Sequence, residues 1–231
     1  MTVGNKRQPN GLPEYYCHRG NDIKDAIVRD FIIQPVAHLK LITGQTKTSY
    51  SGYPLTDQYY CFSFKKRSDE NCTGAFFCGR DVAKDFIRRI GCTELPLFNP
   101  MKSDTSAAIE RSGSGSGSGS SGITVKPNAD KKLFIDAARL LMTLWDSTSK
   151  GQTPLASVLN EAISGGIDKP PEIRHVVAVN TMLGNTKNTL TGLLDKARAK
   201  YPDVLFRDFD FTPLNEIVKR SKSYNKHPPC Y

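Results

Sequence analysis

No complete catalytic or cofactor motif occurs anywhere in the 231 residues. The cysteines include no C-x2-C knuckle, the usual sign of a zinc site. Gly184-Asn-Thr-Lys-Asn-Thr189 lacks the first glycine and the Gly-Lys-Ser/Thr order of a phosphate loop. No apolar run approaches the length of a transmembrane helix, and the first sixteen residues lack the apolar centre of a secretory signal. The last four residues, Pro228-Pro-Cys-Tyr231, are not a prenylation box, which needs its cysteine fourth from the end. These absences point away from an enzyme and from a membrane, and the expected location is the cytoplasm. Asn71-Cys-Thr73 fits a glycosylation sequon, but without a signal segment it reads as coincidence.

One tract cannot form a core. Ser112 to Gly122 reads SGSGSGSGSSG, a flexible coil that divides the chain into flanks of near-equal length, 1–111 and 123–231. The flanks are two small domains, or two parts of one domain joined by the tract. A coil of this length spans about 18 Å on average, which suits ends that already lie close together.

Net charge is +9, and the excess is shared. Lys and Arg outnumber Asp and Glu by 16 to 12 in residues 1–111 and by 16 to 11 in residues 123–231. Such a balance favours DNA, RNA or an acidic protein surface as partner. Equally, it serves solubility.

The first flank reads as irregular up to Gly20, followed by a helix capped by Asn21. Ile23, Ala26, Ile27 and Phe31–Ile33 fall near helical spacing. Pro35 is expected to end or kink the helix, and Val36–Ile42 is a second apolar run that could continue it past the kink. Gly44–Pro54 reads as a loop. Tyr59–Lys66 and Cys72–Cys78 alternate as two strands about a charged turn, and Asp81–Ile90 follows as an amphipathic helix stopped by Gly91.

This hairpin–helix unit holds the candidate sites. Cys61, Cys72, Cys78 and Cys92 could offer thiolates to a structural zinc, although Cys72 and Cys78 lie about 20 Å apart if the strand is straight. The alternative is a set of small buried hydrophobes in a reducing compartment. Cys78 precedes a helix N-terminus and Arg80, both of which lower a thiol's pKa. A nucleophile there would need a base, and only His18 and His38 are in this flank. Lys65, Lys66 and Arg67 at the turn, with Arg80, Lys84, Arg88 and Arg89 on the helix, form a basic set interleaved with Tyr59, Tyr60, Phe62 and Phe64. Basic residues beside aromatics hold phosphates and stack bases. The competing reading is a solvated helix face over a sheet core, with Asp81 and Asp85 diluting the charge.

The second flank is mostly helical. The cleanest pattern runs from Asn128 as cap through Leu133, Phe134, Ala137, Leu140, Leu141, Leu144 and Trp145. Helices are also expected over Thr153–Ile163, from Pro170 (with a strand as alternative, given Val176, Val177 and Val179), over Thr186–Lys200, and from Thr212 to about Lys222. Asp203–Phe211 reads as extended. Its three carboxylates, Asp203, Asp208 and Asp210, resemble magnesium ligands only loosely, and His175 reads as structural. Lys219, Arg220, Lys222, Tyr224 and Lys226 make the densest basic run and could track a phosphate backbone.

The expectation is therefore an α+β protein: an N-terminal hairpin–helix piece and a mainly α-helical C-terminal piece joined by the Gly/Ser tract. Its expected role is non-enzymatic nucleic-acid binding or regulation through basic surfaces. An adaptor with an acidic protein partner is the alternative, and a metal-dependent enzyme a third. No cofactor is expected other than the possible zinc.

Overall fold

The computed structural model describes residues 12–102, 126–145, 152–221 and 228–231. The Gly/Ser tract and Lys222, Tyr224 and Lys226 lie outside the described residues. The fold is α+β, with the strands in the N-terminal part and most helices in the C-terminal part.

After a short 3-10 turn at Glu14–Tyr16, helix α1 spans Asn21–Asp30 and passes directly into strand β1, Phe31–Lys40. This corrects the expectation of a kinked helix through Ile42. Phe31, Ile32, Ile33 and Gln34 alternate buried and exposed with the period of a strand, not of a helix. The segment's β-branched and aromatic residues favour that state once a sheet neighbour exists. Pro35 is accommodated by a bulge: pairing with the next long strand shifts between Pro35 and Ala37, leaving Val36 as the extra residue.

A two-residue ladder, β2 (Lys47–Thr48) with β3 (Pro54–Leu55), interrupts the expected loop. The hairpin of β4 (Gln58–Lys66) and β5 (Asp69–Gly79) turns tightly at Arg67-Ser68. Helix α2, Arg80–Ile90, follows without a gap. Gly91 ends it at φ 68°, a left-handed cap that glycine adopts without a Cβ penalty, and Cys92 N–H reaches back to Ile87 O. Strand β6, Leu97–Phe98, then pairs parallel to β1. The sheet order is β5-β4-β1-β6.

Register sorts the side chains into two layers. Tyr60, Phe62, Phe64, Phe76 and Cys78 face α1 and α2, where they enclose Phe31, Ile27 and Phe86. Tyr59, Cys61, Ala75 and Phe77 face the other way, into a larger core built with the C-terminal helices. Those helices are α3 (Ala129–Leu144), α4 (Thr153–Ser164), α5 (Ile173–Asn185), α6 (Leu190–Lys200) and α7 (Thr212–Lys219). Asn128 caps α3 and Thr189 caps α6, each through a side-chain bond to a first-turn N–H. Between Pro170 and Asn185 the helix wins over the strand alternative: packed on α4 and α7, Val176 and Val179 are buried on one helical face.

Both flanks of the Gly/Ser tract share the larger core. Tyr59 Oη donates to Met142 O at 3.2 Å, and Ala75 N–H donates to Thr153 Oγ1 at 3.2 Å. Gln45 Nε2 donates to Thr143 O at 2.8 Å. The expected extended segment after Pro202 is seen as a single antiparallel bridge, Met101 to Phe206, reinforced by Arg207 N–H to Pro100 O. Among the described residues no helix is long and apolar enough to cross a membrane.

Candidate functional site

The cysteines do not converge. Cys61 and Cys78 sit on opposite faces of the same sheet, Cys72 is half-buried near the hairpin turn, and Cys92 is exposed beyond α2. Among the described residues, no group of three or more His, Cys, Asp or Glu is placed to hold a metal ion. The expected low pKa of Cys78 is also corrected. Burial pushes that thiol well above 9.0, and lifts Cys61 from 9.0 to about 12. Removal from water disfavours the thiolate more than the helix end favours it. His38 shares the α1/α2 face of the sheet with Cys78, but Tyr60 stands between them, stacked on the imidazole at 4.1 Å. The ring nitrogens of His38 are taken up by Leu95 O at 3.1 Å and Gln58 Oε1 at 2.7 Å. His18 is exposed on the loop before α1.

Most of the basic set is neutralised locally. Asp85 alone meets Lys24 at 2.7 Å, Arg88 at 2.6 Å and Arg89 at 3.3 Å. Arg89 also pairs with Asp25, Lys84 with Glu94 at 3.8 Å, and Lys65 with Glu70 at 2.9 Å. Lys219 pairs with Glu216 at 2.8 Å. Among the described residues, Lys66, Arg67, Arg80 and Arg220 have no carboxylate within 4.0 Å. Lys66 and Arg67 are at the hairpin turn, whereas Arg80 opens α2 at the far end of the same strands. They are not one patch. Lys65 lines a cavity of about 290 Å³ between the hairpin and α4, beside Ser63, Thr73 and Asn160. Asp203, Asp208 and Asp210 are exposed; Asp208 pairs with Lys102 at 2.8 Å, and Asp210 accepts from Thr212 N–H at 2.9 Å.

The larger cavity, about 520 Å³, opens where α1 and α2 begin side by side. Its walls are Arg19, Gly20, Asn21 and Lys24 from the start of α1, and Gly79 and Val82 from the start of α2. Ser49, Tyr50, Ser51 and Tyr53 come from the turn between β2 and β3, with Cys78 at the base. Gly20, not Asn21, is the N-cap of α1, and Gly79 is the N-cap of α2. Neither has a side chain to cap with, so both helices direct first-turn N–H groups at this end unbonded by a capping side chain. Two helix dipoles with positive ends together favour a negative charge here. Part of that charge is internal. The Asp22 carboxylate folds back against the Cα of Gly20, on the side a Cβ would occupy. At Gly79 an added Cβ would meet only Leu55 Cδ2, at an ordinary contact distance of 3.5 Å.

The other wall is aromatic and cationic. Arg19 lies over the Tyr53 ring with its guanidinium carbon 3.1 Å from the centroid, and Tyr53 is 48% exposed. Tyr50 is held by an edge contact to Phe76 and a tilted one to Phe86, and burial lifts its phenol to about 12, so it stays a donor at neutral pH. Its hydroxyl has no hydrogen-bond partner among the described residues.

Sequence reasoning singled out Cys78 at the base of this groove but missed both glycine caps, Arg19 in the segment it read as irregular, and Tyr50 and Tyr53 in the segment it read as a loop. The legible signal was a glycine immediately before each of two helices, where Ser, Thr, Asp or Asn would ordinarily cap.

No curated protein and no solved structure matches the chain. A match running from residue 17 to residue 230 takes in the groove and both flanks of the Gly/Ser tract, and by it the chain belongs to the family described as Uncharacterised conserved protein UCP028583.

Proposed function

We propose that the protein is a non-enzymatic nucleic-acid-binding protein and that the groove between α1 and α2 holds a single-stranded segment. The observation that carries the reading is the meeting of two glycine-capped helix N-termini in one cavity with Arg19 and Tyr53. A phosphate placed there accepts from backbone N–H groups at the start of α2, while a neighbouring base stacks on Tyr53. Arg80, exposed in the first turn of α2, and the excess of basic residues over the whole chain add attraction at longer range. Nothing in the groove pairs a nucleophile with a base: its one thiol, Cys78, is buried and held protonated. A binding role fits that chemistry better than a catalytic one.

The test is fluorescence anisotropy with a labelled single-stranded oligonucleotide at about 50 and 200 mM salt. Binding is expected to weaken with salt, by a slope of about 0.7 per phosphate contact on a log–log plot. Arg19→Ala is expected to weaken it about tenfold, through the lost cation and the freed Tyr53 ring. No binding at low salt overturns the proposal and leaves an acidic protein partner as the reading to pursue.

A further inference from the structure

A second feature, independent of the groove, lies among the C-terminal helices. Pro228–Tyr231 occupies a slot among α5, α6 and α7, where Cys230 is 6% and Tyr231 4% exposed. Two asparagines read its backbone. Asn180 of α5, itself buried, donates from Nδ2 to Pro228 O at 3.0 Å and accepts at Oδ1 from Cys230 N–H at 2.7 Å. Asn215 of α7 accepts at Oδ1 from Tyr231 N–H at 3.1 Å and donates from Nδ2 to Tyr231 O at 3.4 Å. Leu190 N–H, an orphan donor of the first turn of α6, bonds Cys230 O at 2.7 Å. At the floor the Tyr231 hydroxyl donates to Val176 O at 2.8 Å.

This is the chemistry of peptide recognition. A buried asparagine in the middle of a helix is costly unless its amide is bonded at both ends. Asn180 bonds at both ends of its amide to groups of the seated segment. The side chain that fills the slot is an aromatic with a polar tip, the kind that anchors interfaces. Two prolines precede it, and their restricted backbone reduces the entropy lost on seating.

We propose that the α5–α6–α7 slot is a peptide-binding site, occupied in this structure by the chain's own Pro-Pro-Cys-Tyr segment acting as an intramolecular ligand. A free peptide of the same chemistry, extended, proline-led and carrying tyrosine three residues after the first proline, displaces it. Only six residues, 222–227, separate the segment from the described end of the chain after α7. A tether of that length gives an effective concentration in the millimolar range. A competing peptide therefore acts at about millimolar concentration, or at lower concentration once the internal segment is weakened.

The test uses the full chain carrying Tyr231→Ala and a labelled peptide, His-Pro-Pro-Cys-Tyr. Saturable binding is expected, at least tenfold tighter than to the wild-type chain, whose slot is filled. Adding Asn180→Leu is expected to weaken it at least tenfold. A Tyr231→Ala chain with an intact thermal transition that does not bind millimolar peptide overturns the proposal. If that variant does not fold, thiol labelling of the wild-type chain decides the matter, with each cysteine followed by mass spectrometry. Release of the segment exposes Cys230 while the sheet stays folded, so Cys230 is expected to react faster than buried Cys61 and Cys78. Unlabelled peptide with serine in place of cysteine is expected to accelerate it. Equal rates at the three cysteines, or no effect of the peptide, overturn the proposal.

Discussion

Replacing Gly79 by aspartate sets the folding stability of this protein against its proposed binding. Gly79 has φ −69° and ψ 164°, the extended conformation an N-cap residue adopts, so a side chain there meets no backbone strain. A Cβ would touch Leu55 Cδ2 at 3.5 Å, an ordinary van der Waals distance. The new carboxylate would accept from the N–H of Asp81 or Val82. An Asp cap exceeds a Gly cap by a few tenths of a kcal/mol, and a negative charge at a helix start adds about 0.3–1 kcal/mol. Asp81, exposed in the same turn, offsets part of this. The net expectation is a gain of about 0.5–1 kcal/mol, or about 1–4 °C in the midpoint of thermal unfolding for a chain of this size. The same carboxylate fills the place proposed for a phosphate and repels it. Oligonucleotide affinity is therefore expected to fall about tenfold, equivalent to about 1.4 kcal/mol. Calorimetry and anisotropy on one preparation measure both. A variant that is more stable yet binds unchanged refutes the groove as the phosphate site; one that is less stable refutes the account of the uncapped helix.

The other glycine cap should respond in the opposite sense. Gly20 has φ 137°, outside the range of L side chains, and the Asp22 carboxylate occupies the Cβ position, so Gly20→Ala is expected to cost about 1 kcal/mol or more in denaturant titration. Tyr16→Phe should show its effect through pH. Hydrogen bonds from Arg29 and from the Tyr16 hydroxyl hold the Asp30 carboxyl at about 2 against an ordinary 3.8, and burial with that same bond raises Tyr16 from 10.0 to about 12. The depressed acid stabilises the fold above pH 3.8 and loses that contribution as pH falls through 2; the raised phenol loses its contribution as pH rises from 10.0 through 12. Wild type should therefore be more stable than Tyr16→Phe at neutral pH, and the two should converge at both extremes; a difference constant from pH 2 to 12 would count against this. Tyr59→Phe removes the buried bond to Met142 O that joins the two flanks, and is expected to cost about 1 kcal/mol in urea unfolding. The cost is held to that size because Met142 O keeps its bond from Gln152 Nε2.

Where local chemistry decides conformation, the sequence could be read directly. Asn128 and Gly91 are at the helix ends their side chains, or lack of one, specify, whereas α6 starts after Thr189 and not at the expected Thr186. The hairpin, α2 and the five C-terminal helices follow from periodicities of two and 3.6, and so does the α+β class. Phe31–Lys40 was misread because its apolar residues fit either period. What settles it is β4 alongside, which supplies ladder partners from Phe31 to Lys40 and absorbs Pro35 in a bulge. No local signal carries that information.

The candidate site was less legible still. Arg19, Tyr53, Gly79 and Gly20 belong to segments separated by up to about sixty residues, and become neighbours only because α1 and α2 start at the same end of the sheet. Burial likewise reversed the reading of Cys78: helix end and arginine were visible in the chain, but the desolvation that outweighs them exists only in the core. Charge behaved the same way. The sequence by itself determined how many basic residues there are and that they are spread over both flanks. Only the tertiary structure decided that Lys24 meets Asp85, Arg89 meets Asp25 and Lys84 meets Glu94, and which basic residues are left for a partner, because these ion pairs depend on distances across elements that sequence spacing does not encode.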